Sequence, residues 1–134
     1  MSYNGDSSNS KYSKRTRILL VDNEPDITSI LSIGLQDEGF AVDVFNDSLL
    51  ALSNFKVSMY SLAILDINIP KMNGYELYQA MKKVDSKIKA CFLSASEMYN
   101  ENLKKVSPPA DVKCFISKPT SVDDFVKRVK AELE

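Results

Sequence analysis

Short apolar runs that each end in polar residues recur along this 134-residue chain, and stretches of helical spacing separate them. Arg17-Ile18-Leu19-Leu20-Val21 runs into Asp22-Asn23-Glu24-Pro25. Leu62-Ala63-Ile64-Leu65 runs into Asp66, and Lys113-Cys114-Phe115-Ile116 runs into Ser117-Lys118-Pro119. Buried strands alternating with helices imply a parallel sheet covered on both faces and joined by right-handed crossovers. Such sheets build their sites at the carboxyl ends of strands. Acids, an amide and a lysine delivered to one rim suggest a small anionic centre for a cation and a phosphoryl group.

The spacing predicts five strands: Thr16–Asp22, Ala41–Phe45, Leu62–Asp66, Ile88–Ser94 and Val112–Ser117. A first helix starts at Pro25, turns Ile27, Ile30, Leu31, Gly34 and Leu35 inward, and ends at Gly39. A second is capped by Ser48 and buries Ala51, Leu52 and Phe55. A third spans Gly74–Val84 and buries Leu77, Met81 and Val84. A weaker helical stretch over Glu97–Val106 is broken by Ser107–Asp111. The last helix follows Ser121, which forms a short-armed capping box with Asp124. Its inner stripe is Val122, Phe125, Val126, Val129 and Leu133. Residues 1–14 lack periodicity and read as a flexible tail, leaving 15–134 as one domain.

The formal charge is −1, and no Lys/Arg block is long enough for a nucleic-acid face. No apolar stretch would span a bilayer and no signal peptide is visible, so a cytoplasmic location is expected, without membrane contact. The chain has no histidine, which removes the commonest general base and zinc ligand. Cys91 and Cys114 lie in predicted strands among apolar neighbours. They read as two small buried hydrophobes of a reducing compartment; whether they touch is open.

Four motifs, in order and each at a strand end, give the chain a resemblance to the receiver domains of two-component response regulators. Asp22-Asn23-Glu24-Pro25 is similar to their acidic cluster. Asp66 followed by Asn68, Pro70 and Gly74 resembles their phosphoacceptor loop, Ser94-Ala95 their hydroxyl–small pair, and Lys118-Pro119 their lysine–proline pair. The resemblance covers residues 16–134. It implies a doubly wound α/β fold with a five-stranded parallel sheet and helices on both faces. The flavodoxin-like strand order 2-1-3-4-5 is chosen because receiver proteins are themselves an example of it.

The resemblance implies a phosphorelay switch rather than an enzyme with a separate substrate. Asp66 would accept a phosphoryl group from a histidine kinase or histidine phosphotransfer protein. Mg²⁺ would be held by Asp22, Asn23, Asp66 and the backbone carbonyl of Asn68. Lys118 and Ser94 would contact the phosphoryl oxygens, and Ser94 and Phe115 would act as the switch. Output would pass to an unknown downstream protein by contact, from a monomer or a phosphorylation-dependent dimer. Gly74 would permit a turn that other residues resist. Three departures stand out: Asn23 where receivers commonly carry Asp, Asn73 where Asp is frequent, and Pro108-Pro109-Ala110 in place of a Gly-Ala turn.

Taken singly, these residues have ordinary readings: Asp22 as a charge at a helix N-terminus, Ser94 as a cap, Lys118 as a surface lysine, Phe115 as core. Two other functions compete. One is a receiver-like interaction module that is never phosphorylated, which Asn23 favours. The other is a haloacid-dehalogenase-like phosphatase, which also uses an Asp nucleophile with Mg²⁺ but needs a second acid where Asn68 stands.

Overall fold

Strands β1 (Arg17–Val21), β2 (Ala41–Phe45), β3 (Leu62–Asp66), β4 (Ala90–Ala95) and β5 (Cys114–Lys118) form one parallel sheet in the order β2-β1-β3-β4-β5. The computed structural model describes residues 16–95, 108–118 and 120–134. The expected tail, the helical stretch over Glu97–Val106, Ser107 and Pro119 lie outside these residues. Four helices are described: α1 (Pro25–Asp37), α2 (Ser48–Asn54), α3 (Gly74–Val84) and α4 (Val122–Leu133).

The expected fold class and strand order are both present. Every residue of the central strand β3 is buried, because helices cover both sheet faces. On one face, Ile18, Leu20, Ile64 and Leu93 pack with Leu31 and Leu35 of α1 and Phe125 and Val129 of α4. On the other, Leu19, Val21, Leu65 and Phe92 pack with Ala51 of α2 and Leu77 and Met81 of α3. Gly39 ends the α1 segment at φ 98°, a conformation open to glycine and strained for other residues.

Several local expectations are corrected. Ile30 and Val84 are exposed; the α1 and α3 stripes instead bury Thr28 and Ser32, and Tyr75 and Tyr78. Asp47, not Ser48, caps α2, accepting from the N–H groups of Leu49 and Leu50. A carboxylate held by two N–H groups outcompetes a hydroxyl for that end. Ser48 is buried one residue later and donates to the Pro70 carbonyl. Ser121 does cap α4, its hydroxyl accepting from the Asp124 N–H. Asn73, flagged only as a departure, forms a full capping box with Glu76 at the start of α3.

The two cysteines are also corrected. They are buried as expected, but Cys91 of β4 and Cys114 of β5 face each other in register and their sulfurs are bonded. Direct opposition across one strand pair brings the Cα atoms to 4.6 Å, within disulfide reach.

Candidate functional site

β1, β3 and β5 end together at the carboxyl rim, and each delivers one charged residue there. Asp22 follows β1, Asp66 ends β3 and Lys118 ends β5. The Lys118 ammonium lies 2.7 Å from Asp22 Oδ2, 3.0 Å from Glu24 Oε1 and 3.3 Å from Asp66 Oδ2. Asp22 is fully buried and Asp66 almost so.

The two buried acids are held in the same way. Asp22 Oδ1 accepts from the Glu24 N–H at 3.0 Å, and Asp66 Oδ1 from the Asn68 N–H at 3.2 Å. Each is an aspartate bonding the backbone two residues on. One oxygen of each carboxylate is thereby fixed and the other turned toward Lys118.

Burial pushes the Asp66 carboxyl up to about 6, the nearby Asp22 charge adds to this, and Lys118 opposes it. Burial also disfavours the Lys118 charge, but Asp22, Asp66 and Glu24 outweigh it and raise the lysine above its ordinary range. The cluster therefore keeps its cation at neutral pH, while burial and the Asp22 charge work against ionisation of Asp66.

The oxygen set suits a hard divalent cation. Oxygens of Asp22, Glu24 and Asp66 lie within 4.8 Å of one another. Asp22 Oδ2 is buried yet accepts no hydrogen bond, since Lys118 reaches it at ion-pair distance without hydrogen-bond alignment. A buried carboxylate oxygen with free lone pairs, among other carboxylates, fits Mg²⁺. Asn23 is exposed in the bend after Asp22, whereas Glu24 brings its carboxylate into the cluster.

Ser94 is buried on β4, next to Leu93, which pairs with Asp66 in the β3–β4 register. Phe115 is half-buried and packs on Phe92 with ring centroids 5.6 Å apart. Phe92 in turn meets Tyr75, the second residue of α3, edge-on at 4.9 Å. Gly74 does not occupy the left-handed region; its role differs from the expected one. Its N–H donates to the Ile67 carbonyl at 2.8 Å, and a Cβ there would run into the Asp66 carbonyl, only 3.0 Å from its carbon. Close approach, not turn geometry, requires glycine.

Two residues absent from the sequence reading shape the site. Asn46 donates from Nδ2 to the Asp22 carbonyl at 2.6 Å and to Thr28 Oγ1 at 3.2 Å. The buried Thr28 hydroxyl donates to the Pro25 carbonyl at 3.1 Å. They clamp the acidic loop to the end of β2. Their signal was topological: Asn46 follows β2, and β2 neighbours β1.

A family model described as the response regulator receiver domain matches residues 18–130. The transcriptional regulatory protein PrrA of Mycobacterium leprae is 32% identical over 117 residues, covering 87% of this chain and 49% of that protein. The transcriptional regulatory protein TctD of Salmonella typhimurium is also 32% identical, over 87% of this chain and 51% of its own length. This chain thus spans about half the length of these relatives. Among solved structures, a CheY-like receiver domain protein from Methanospirillum hungatei superposes with a TM-score of 0.76 at 25% identity, covering 88% of this chain and 93% of that one. The response regulator TrrA of Thermotoga maritima, solved in complex with Mg²⁺-BeF, gives 0.70 at 30% identity, covering 89% and 99%.

Proposed function

This chain belongs to the response regulator receiver domain family, and from that membership we propose that it is a phosphorelay switch with Asp66 as its phosphoacceptor. The donor is the phosphohistidine of a histidine kinase or phosphotransfer protein. An Asp66 carboxylate oxygen attacks the phosphorus, the P–N bond breaks, and the departing imidazole nitrogen recovers a proton from solvent. The difficulty is charge, since an anionic nucleophile must meet an anionic phosphoryl group beside a second carboxylate.

Lys118 supplies a fixed positive charge at that point. Once a phosphoryl group is on Asp66, its oxygens compete with Asp22 and Glu24 for the ammonium. Ser94, on the neighbouring strand, donates its hydroxyl to a phosphoryl oxygen. Asp22, Asp66 and the Asn68 carbonyl would hold Mg²⁺, with Glu24 and Asn23 beside them, and the bound ion would supply the remaining positive charge. Asp66 needs ionisation to attack, so its raised carboxyl range makes a nearby cation necessary rather than merely helpful.

Phosphorylation adds charge and acceptor oxygens at the rim. Ser94 and Phe115 transmit that change to the outer face of β5 and α4, where a downstream protein docks by contact. A cytoplasmic setting follows from the donor; among the described residues, no helix is long and apolar enough to cross a membrane. Family membership displaces the phosphatase alternative. The unphosphorylated interaction module retains one supporting feature, the uncharged Asn23. The observation that carries our reading is the convergence of Lys118 with Asp22, Glu24 and Asp66 within 3.3 Å.

The deciding experiment incubates the protein with acetyl phosphate and Mg²⁺ and reads intact mass. One phosphoryl group should be gained, and lost on chelation or in Asp66→Asn. No gain by a folded wild type would favour the interaction module.

A further inference from the structure

The bonded pair Cys91–Cys114 lies outside everything assigned so far. Both residues are buried, facing each other across the β4–β5 register. β5 is the edge strand of the sheet, and among the described strands only β4 pairs with it. Ser94 stands three residues beyond Cys91, and Phe115 and Lys118 stand one and four beyond Cys114. The bond therefore ties together the bases of the two strands that carry these rim and switch residues.

The pair is buried but not remote from solvent. A cavity of about 270 Å³ opens at the amino ends of β4 and β5, and its lining includes Lys89, Ala90, Lys113 and Glu132. Ala90 and Lys113 are sequence neighbours of the cysteines. Glu132 brings a carboxylate oxygen within 4.8 Å of both sulfurs, linking the cavity to the bond. Lys82, Lys89 and Lys113 at this mouth favour an approaching anion, against the carboxylates of Asp111 and Glu132, and Glu132 beside the sulfurs opposes the thiolate.

We propose that Cys91 and Cys114 are a reversible thiol–disulfide modification site, closed by exchange with an anionic small-molecule disulfide, and that the closed bond slows the switch. One cysteine thiolate attacks a sulfur of the small disulfide and expels a small thiolate. The second cysteine attacks the mixed disulfide and expels the other. The protein loses two electrons and two protons, and the small disulfide becomes two thiols. Closed, the bond fits the β4–β5 spacing seen here. Any arrangement that changes that spacing is then disfavoured, and the switch equilibrium shifts toward the present one. This second half rests on Asp66 being the phosphoacceptor.

The test uses the full chain, reduced with dithiothreitol or treated with oxidised glutathione, then denatured, alkylated and weighed. Oxidised protein should take up no alkyl group and reduced protein two. The initial rate of phosphoryl gain from acetyl phosphate and Mg²⁺ should be at least threefold lower when oxidised and recover on reduction. Cys91→Ala and Cys114→Ala, which lack the second thiol, should each stop at a mixed disulfide, seen as at most one added glutathione by mass. Two free thiols after oxidised glutathione, a zinc ion retained by the native reduced protein and sparing its thiols, or equal rates in both states would overturn the proposal. A protein gaining no phosphoryl group in either state ends the phosphoacceptor reading and the coupling with it, while the alkyl count still decides the bond.

Discussion

Lys118 sits closer to Asp22 than to the proposed phosphoacceptor: its ammonium is 2.7 Å from Asp22 Oδ2, against 3.3 Å for Asp66 Oδ2. Without a divalent ion, the lysine is the main counter-charge for two buried acids. Lys118→Met should therefore cost stability at pH 7, on the order of 3 kcal/mol, because it leaves buried carboxylates unpaired. The deficit should shrink at pH 3, where Asp66 is protonated. If Mg²⁺ binds among them, adding it should restore more stability to the variant than to wild type. Urea denaturation at both pH values, with and without Mg²⁺, reads all three effects.

Asp66 is the opposite case, a group the fold would rather have neutral. Its carboxyl is raised from 3.8 to about 6 by burial and by Asp22. The folded protein therefore holds this proton more tightly than the unfolded chain. The group's favourable contribution is complete below about pH 4 and is lost as pH rises through about 6. Asp66→Asn removes that loss, and at pH 7 without metal it should be more stable than wild type by up to about 3 kcal/mol. Phosphoryl uptake by wild type should fall as pH drops below 6, where the nucleophile is protonated. A variant no more stable than wild type at pH 7 would show that Lys118 already offsets the burial.

The strand ends were readable because chemistry and burial coincide there. Asp22, Asp66, Ser94 and Lys118 each close an apolar run, so their meeting at one rim followed from a parallel sheet. What escaped was whatever depended on pairing across the fold. Asn46 looks like any loop amide until β2 is set beside β1. Cys91 and Cys114 look like ordinary core residues until their register is known. Ile30 and Val84 fit the helical stripes yet sit at the stripe's margin, where one turn of a helix decides burial. The role of Gly74 was misread because sequence reveals a glycine but not what approaches it.

Gly74→Ala tests that approach directly. The added Cβ meets backbone, which cannot swing aside as a side chain can. The start of α3 must move away from Asp66, weakening the 2.8 Å bond from the Gly74 N–H to the Ile67 carbonyl. Expected costs are about 2 kcal/mol in thermal or urea denaturation and at least a tenfold loss in phosphorylation rate. Equal rates in variant and wild type would mean the loop tolerates the shift.

Asn23→Asp adds a charge beside Asp22, on an exposed bend. Solvent screening keeps the gain modest, so Mg²⁺ affinity should rise roughly threefold to tenfold. Without metal the variant should be slightly less stable, since a further carboxylate joins Asp22, Glu24 and Asp66. Calorimetric Mg²⁺ titration separates the outcomes, and identical affinities would place residue 23 outside the metal's reach.

Asn46 offers a position that acts on the site through another residue. Its amide holds the Asp22 carbonyl at 2.6 Å, and the Asp22 N–H donates back to Phe45 at 3.2 Å, so β2 grips the acid's backbone on both sides. Asn46→Ala removes the side-chain grip and should cost about 1 kcal/mol, since residue 46 is exposed and water replaces part of the bond. Asn46→Asp is sharper: it keeps the shape but sets a carboxylate oxygen against a carbonyl. A purely structural amide would change denaturation alone. An amide that positions Asp22 should also weaken Mg²⁺ binding, more in Asn46→Asp's backbone-displaced loop than the stability loss explains, with Asp66 still modifiable at saturating Mg²⁺. Mg²⁺ titration of both variants, at a temperature where each is fully folded, distinguishes the two roles.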